Sequence, residues 1–346
     1  MNGLGRVGGL VWVLIWLVSG AQVWAFPAAQ SGQRLAYGQT VEGFIGDEQE
    51  EQRWVFSGVA GDVVLIDMLA MDMMQLDTLL TLLDGDGNTL VTDDDGGLGL
   101  NSRIGPYTLP ADGDYVIVAG RYSGSGDYRL RLSSLNTAPT LRLGKILRGA
   151  VGGDTAVEYY RLQAEADEPQ LVRLALSPQA DPLGYQIMVY GPDGQRLMVA
   201  DPSEGGVTLL LMPETRDTVA VAQSEDGEGG AYTLTLTPSD EELLRDDVPQ
   251  RGGLDALTTE QRHYFVGQRD DVVRVTLEAE DGFLPAFYIG QQGGEDLLFS
   301  ADGGAMKRIS ATLTLPADGA YVVGVYPGQF TPMEGDYTLT VSWQSR

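Results

Sequence analysis

Asp84, Asp86 and Asn88 stand at alternate positions, and Asp95 follows at the twelfth. This is the spacing of oxygen donors in a calcium loop, although Thr89 occupies the place where such a loop turns sharply on a Gly. A second group of hard oxygens, Asp77, Asp93, Asp94 and Asp95 with the amide of Asn101, would also attract calcium, because crowded carboxylates destabilise one another unless a cation sits among them. The competing reading is a hairpin turn at Asp84-Gly85-Asp86-Gly87 followed by a solvated acidic loop. Calcium is thus a cofactor this segment could take without the chain requiring one.

Other chemistries meet obstacles in the composition. With no Cys there is no thiolate nucleophile, disulfide framework, zinc–thiolate site or lipid-modified cysteine. A single His, His263, excludes metal sites built on two imidazoles. No Gly-x-Ser-x-Gly phrase occurs, and Ser123-Gly124-Ser125-Gly126 has no base nearby in sequence. His263, at a strand start in Gln261-Arg262-His263-Tyr264-Phe265, is expected to face solvent or to cap. Carboxylate pairs of the glycosidase kind are expected from composition alone among 49 acidic residues. Trp54 and Trp343 fall in core-strand contexts, which leaves the 15 Tyr as the source of any aromatic platform for a glycan. The net charge of −27 repels nucleic-acid backbones and anionic membrane surfaces.

The elements that would position these residues follow a leader. Arg6 precedes an apolar run over residues 10–18, and Ser19-Gly20 leads into Ala21-Gln22-Val23-Trp24-Ala25, the order of a secretory signal over residues 1–25. Val23 and Ala25 suit cleavage before Phe26. Cleavage after Ala21 is an alternative, and an uncleaved anchor is another, since residues 7–25 approach the ~20 needed to span a bilayer. Removing residues 1–25 takes away one charge, Arg6, and leaves a net −28.

The remainder repeats itself. Leu109-Pro110-Ala111-Asp112-Gly113-Asp114-Tyr115 returns as Leu315-Pro316-Ala317-Asp318-Gly319-Ala320-Tyr321, with a worn copy at Met212-Pro213-Glu214-Thr215-Arg216-Asp217-Thr218. Each copy is followed by a Tyr that opens an alternating strand, at Tyr128, Tyr232 and Tyr337. Each is preceded by a Gly eleven residues before an aromatic: Gly43 to Trp54, Gly149 to Tyr160 and Gly253 to Tyr264. Leu90, Leu197 and Leu298 each stand four residues before an Asp: Asp94, Asp201 and Asp302. The second and third copies keep only Asp193 and Asp201, or Asp302, of the acidic set, so the fold does not depend on it. Ordered landmarks at one pitch indicate tandem units.

The periodicity is that of strands. Tyr128-Arg129-Leu130-Arg131-Leu132 alternates, whereas Asp62-Val63-Val64-Leu65-Ile66 and Tyr115-Val116-Ile117-Val118 are apolar on both faces, as central strands are. Nine Asp-Gly dipeptides mark turns between them. The expectation is an all-β chain of three tandem antiparallel β-sandwich domains: a linker over 26–32, then repeats over 33–137, 138–238 and 251–346. Between the last two, over 239–250, Ser239 and Glu242 have capping-box spacing and predict one helical turn.

Residues 76–88, Asp93-Asp94-Asp95-Gly96-Gly97, the Leu109–Tyr115 phrase and Gly126-Asp127-Tyr128-Arg129-Leu130 together resemble the bacterial pre-peptidase C-terminal domain. The resemblance covers nearly all of the first repeat and the second half of the third, and is weakest in the second. It implies jelly-roll-like sandwiches of the kind appended to secreted peptidases, which are not catalytic and serve secretion, surface localisation or binding. Beyond three such units and the leader, too few residues remain for a catalytic domain.

The resulting expectation is a non-catalytic binding or structural module, secreted or held in the periplasm or cell envelope. Its partner would be an extracellular protein, cell-wall or glycan ligand, with no nucleic acid and no membrane beyond the export signal. A flexible string of weakly binding units would gain avidity on a repeated ligand. The alternatives are an accessory subunit of a secreted peptidase and a secreted hydrolase using carboxylates.

Overall fold

The computed structural model describes residues 32–345 apart from 73, 98, 153–156, 164–166, 180–183, 192–193, 195, 201–205, 214–216, 224–228, 256–257, 281–282, 294–296, 303–305 and 329–333. The leader over 1–25, the linker up to residue 31, Asp193 and Asp201 lie outside the described residues.

Period-two alternation becomes strands throughout. The first unit comprises β1 (Gln33–Arg34), β2 (Thr40–Ile45), β3 (Gln52–Gly58), β4 (Val63–Ala70), β5 (Leu76–Leu83), β6 (Thr89–Asp93), β7 (Ser102–Thr108), β8 (Gly113–Gly124) and β9 (Gly126–Ser134). A single 3₁₀ turn, Leu135–Thr137, leads out of it. The second comprises β10 (Thr140–Leu141), β11 (Ile146–Val151), β12 (Val157–Leu162), β13 (Gln170–Pro178), β14 (Tyr185–Tyr190), β15 (Arg196–Ala200), β16 (Val207–Leu211), β17 (Thr218–Gln223) and β18 (Gly230–Pro238). The third comprises β19 (Gln250–Leu254), β20 (Gln261–Gly267), β21 (Val272–Ala279), β22 (Pro285–Gln291), β23 (Leu297–Asp302), β24 (Arg308–Thr314), β25 (Gly319–Pro327) and β26 (Gly335–Ser345).

Unit 1 has one sheet in the order β2-β9-β4-β7 and one in the order β1-β3-β8-β5-β6. Four of these strands face four others, β2-β9-β4-β7 against β3-β8-β5-β6, with β2 beside β9 and only β5 and β6 consecutive within one sheet, which is the double Greek key of a jelly roll. Unit 2 repeats it as β11-β18-β13-β16 and β10-β12-β17-β14-β15, and unit 3 as β19-β26-β21-β24 and β20-β25-β22-β23. All these pairings are antiparallel except the short β1·β3 and β10·β12 contacts. Each pair of sheets encloses its own core: Phe56, Ile66, Leu80 and Ile117 in unit 1, Leu174, Ile187, Val219 and Leu234 in unit 2, and Phe265, Val275, Phe287 and Leu339 in unit 3. At about 1.5–3 kcal/mol per buried large apolar side chain, each core is a sufficient reason for its sandwich.

The repeated Pro-Ala-Asp-Gly-x-Tyr phrase is a turn lock. Tyr115 donates its hydroxyl proton to the carbonyl of Ala111 at 2.7 Å, and Tyr321 does the same to Ala317 at 2.6 Å. Asp112 and Asp318 accept the backbone N–H groups of Ala60 (2.8 Å) and Arg269 (2.7 Å) across the sandwich end.

Two local expectations are corrected. Residues 239–245 form no helical turn. Ser239 Oγ accepts the Glu241 N–H at 3.2 Å, a local turn that competes with helix, and Leu244 is drawn into the unit 3 core. The run at 62–66 is apolar on both faces for a reason beyond the sandwich: Val64 and Ile66 enter the core of unit 1, while Leu65 points out of it into a junction with unit 2.

Candidate functional site

The structure commits Asp84, Asp93 and Asn101, three of the residues read as calcium ligands, to hydrogen bonds with neighbouring backbone. Asp84 is turned into its own hairpin: its Oδ1 accepts the N–H of Asp86 (2.9 Å) and of Asn88 (2.8 Å), and its Oδ2 accepts the Asn88 side-chain amide at 2.9 Å. That Asn88 hydrogen bond, with the turn N–H groups, holds the Asp84 carboxyl below its usual range. Asn88 therefore presents a donor, not an oxygen, toward Asp84. Asp93 braces the next loop by accepting the N–H groups of Gly96 (2.9 Å) and Arg103 (2.7 Å), and burial raises its pKa. Asn101 spends its amide oxygen on the Ala70 N–H at 2.7 Å. Asp77, Asp94 and Asp95 remain, close enough that burial and then the charges of Asp95 and Asp94 raise the pKa of Asp77. Among the described residues no three or more acidic, His or Cys groups are placed to hold a metal ion.

His263 is neither solvent-facing nor a cap. It is buried at 7% exposure, and its Nε2 lies 2.7 Å from the hydroxyl of Tyr337, which in turn donates to Gln261 Oε1 at 2.8 Å. With the Tyr337 proton committed to Gln261, the imidazole must donate, so the network assigns the neutral Nε2–H tautomer. Unit 1 has the same relay: Trp54 Nε1–H donates to Tyr128 (3.0 Å), and Tyr128 donates to Gln52 (2.5 Å). Unit 2 has Tyr160 and Tyr232 hydroxyls 2.8 Å apart, both bonded to Glu158 Oε2 at 2.8 and 2.9 Å. Burial pulls the His263 pKa down to about 4. A base fixed this way is a structural polar group, and Ser123 belongs to another unit.

A Gly faces the Tyr in each relay: Gly43 opposite Tyr128, Gly149 opposite Tyr232 and Gly252 opposite Tyr337. A Cβ there would fall 2.5 Å from the Tyr128 ring, 2.5 Å from the Tyr232 hydroxyl or 2.3 Å from the Tyr337 ring. The third landmark pair is therefore Gly252 with His263, which corrects Gly253 with Tyr264. A one-residue slip reverses the face, and Tyr264 accordingly leaves the unit 3 core and donates to the Thr208 carbonyl of unit 2 at 2.9 Å.

The junctions between units are the largest feature that the sequence concealed. The outer face of β9-β4-β7 in unit 1 packs on the outer face of β12-β17-β14 in unit 2, joining Leu65 and Leu135 to Val157, Tyr159, Met188 and Tyr190. Buried within it, Arg103 Nε donates to Asp67 Oδ1 at 2.6 Å, and their side chains are 1% and 3% exposed. Tyr159 donates to the other Asp67 oxygen at 2.5 Å, and Arg103 Nη1 bonds the Tyr190 hydroxyl. Burial keeps Tyr159 neutral by raising its pKa, so it remains a donor. The guanidinium also lies 5.8 and 5.5 Å from the Tyr159 and Tyr190 ring centroids. Units 2 and 3 use the corresponding pair of faces, with Leu171 and Leu210 against Tyr264 and Ala320. Gln292 of unit 3 clamps the Leu210 backbone, accepting its N–H at 2.9 Å and donating to its carbonyl at 3.0 Å. The flexible string is thus corrected: the units form a head-to-tail stack with buried junctions. A lone Asp inside the apolar β4 run, and the outward Leu65 of that run, were the sequence signals for this pairing.

A cleft of about 590 Å³ opens where the stack brings the units together, lined by Asp93, Asp94, Asp95 and Arg103 of unit 1, Tyr190 and Arg196 of unit 2 and Gly293 of unit 3. The acidic loop forms one wall of it. Trp54 is buried and Trp343 half-buried, its Nε1–H on Asp271 at 3.1 Å, so neither offers a platform for a sugar.

No protein-family model matches the chain, and no curated protein matches it. Among solved structures, one that resembles part of it is the pre-peptidase C-terminal domain of a Bacillus anthracis collagenase. It is 17% identical, with 30% of this chain and 98% of that chain covered and a TM-score of 0.26. A periplasmic inhibitor of g-type lysozyme from Aeromonas hydrophila is 18% identical, with 29% and 87% covered and a TM-score of 0.22. Tandem CBM51 modules of a family 98 glycoside hydrolase from Streptococcus pneumoniae are 7% identical, with 59% and 85% covered and a TM-score of 0.21. Among the described residues no helix is long and apolar enough to cross a membrane.

Proposed function

We propose that this chain is a non-catalytic, exported binding and structural module, built from jelly rolls akin to pre-peptidase C-terminal domains and acting in the medium or cell envelope. The observation that carries this reading is the fate of the chain's one near-neutral base. His263 occupies the place that Trp54 and Tyr160 hold in the other units, and it is bonded to Tyr337 as Trp54 is to Tyr128. The position belongs to the sandwich, not to a reaction. Stacking of the units supports a rigid presenting role, since the loops at their ends are held at set separations. Partners of such a module are extracellular proteins, cell-wall material or glycans, and the negative charge disfavours nucleic acid and anionic membrane.

The test is retention of the chain from residue 26 on immobilised cell-wall, glycan and secreted-protein fractions. Retention by at least one fraction at moderate salt is expected, and its absence from all of them at low and moderate salt would overturn the binding role. Hydrolysis of glycosidic or peptide substrates by the purified chain would overturn the non-catalytic one.

A further inference from the structure

The end of unit 1 at the start of β5 gathers carboxylates and exposed apolar side chains that the sandwich does not use. Asp77 pairs with Ser123 across β5 and β8. Its Oδ1 is buried without a hydrogen-bond partner. On the other side of β5 the ladder runs through Leu80–Asp93, so that Asp94 and Asp95 continue alongside, and their charges act on Asp77. These three are close enough to perturb one another yet not placed to ligate one metal ion. That spread suits a larger cation with several N–H donors, a Lys ammonium or an Arg guanidinium.

The apolar component lies beside it. Met74 is 94% exposed, Tyr122 70% and Leu100 45%. The Thr78 N–H donates to the Leu100 carbonyl at 3.3 Å. Tyr122 is the extra residue of the bulge opposite Asp77 and Thr78, and Met74 stands in the turn that enters β5. Large apolar side chains grouped in solvent mark an interaction site, and an acidic rim selects a partner of the opposite charge.

We propose that this end of unit 1 docks a basic protein segment, with a Lys or Arg side chain entering among Asp77, Asp94 and Asp95 while its apolar neighbours cover Met74, Leu100 and Tyr122. The inference rests on the binding role proposed above and names its partner class. The apolar flank separates a protein segment from a free ion.

The probe is a short synthetic peptide of alternating Lys and Leu, titrated against the chain from residue 26 at moderate salt, with a Glu–Leu peptide of equal length as control. Asp94→Asn/Asp95→Asn and, separately, Met74→Ser/Tyr122→Ser are each expected to weaken Lys–Leu binding by about tenfold. Glu278→Gln/Glu280→Gln removes the same charge from unit 3 and is expected to change binding by less than about twofold. Equal losses in all three variants would reduce the effect to diffuse charge attraction and overturn the proposal, as would no measurable binding. Calcium that displaces the peptide and loses its own binding heat in Asp94→Asn/Asp95→Asn would overturn it in favour of a metal site. Retention on a secreted-protein fraction that neither site variant alters would overturn this surface while leaving the binding role standing.

Discussion

The imidazole of His263 donates to the hydroxyl of Tyr337 at 2.7 Å, and this bond is the unit 3 version of a relay that unit 1 builds from Trp54 and Tyr128. Three different rings at one position share a requirement: a polar atom at the ring edge that can reach the Tyr hydroxyl without leaving the core. The one His of the chain is thereby explained by packing and hydrogen bonding.

The relay makes stability depend on pH. The His263 pKa is about 4 in the folded chain, against 6.5 for the free side chain. Between those values the unfolded chain binds the extra proton, so stability is complete above about pH 6.5 and falls as pH drops toward 4, by about 3 kcal/mol in total. Urea unfolding of unit 3 at pH 7 and pH 4.5, compared between the wild type and His263→Gln, isolates this slope. Equal slopes in the two would refute the assignment.

The register of unit 3 can be tested with two neighbouring glycines. Gly252→Ala drives a Cβ to 2.3 Å from the Tyr337 ring, whereas Gly253→Ala meets the Asp336 carboxylate, at 2.6 Å, a side chain free to turn away. Overpacking against a buried ring costs about 1–3 kcal/mol, so Gly252→Ala is expected to lower Tm clearly and Gly253→Ala to leave it within error. The reverse order would restore the pairing of Gly253 with Tyr264.

The buried pair in the first junction should be costly to break and cheap to replace. Arg103→Ala leaves Asp67 charged in an apolar interface with Tyr159 alone, an expected loss of about 3–5 kcal/mol. Asp67→Leu with Arg103→Met is expected to regain most of it. Chemical unfolding followed by Trp54 fluorescence reports both, and a single variant as mild as a surface substitution would show that the junction does not hold in solution.

At the Asp84 turn, Asp84→Ala removes the acceptor for three donors and is expected to cost about 1 kcal/mol. Calcium is expected to leave the melting curve of the wild type unchanged, because Asn88 turns its amide N–H toward Asp84. A calcium-dependent rise in Tm that Asp84→Ala abolishes would restore the loop as a metal site.

Much of the fold was legible in local pattern. Leu76, Thr78, Leu80 and Leu82 alternate into the core as period two requires, and the Leu-Pro-Ala-Asp-Gly phrases mark the turns that Tyr115 and Tyr321 lock. The candidate site was less legible. Oxygen spacing brought Asp84, Asp86 and Asn88 to notice, but spacing carries no information on which oxygen already accepts a bond, and the turn had used both carboxylate oxygens of Asp84. At Ser239 a capping-box spacing was outweighed by the pull of Leu244 into unit 3, a contact that no local propensity expresses.

The repeated jelly roll is written into the chain, since alternation, turn chemistry and internal repeats are local and act within one unit. Which outward faces meet is settled by contacts between units. Leu65, Asp67 and Arg103 lie on an outer sheet face, where a polar or apolar residue is equally permitted until a neighbouring unit covers it. Once Tyr159 and Tyr190 do so, the same residues become a buried ion pair and an apolar seal, because desolvation depends on what arrives from far along the chain.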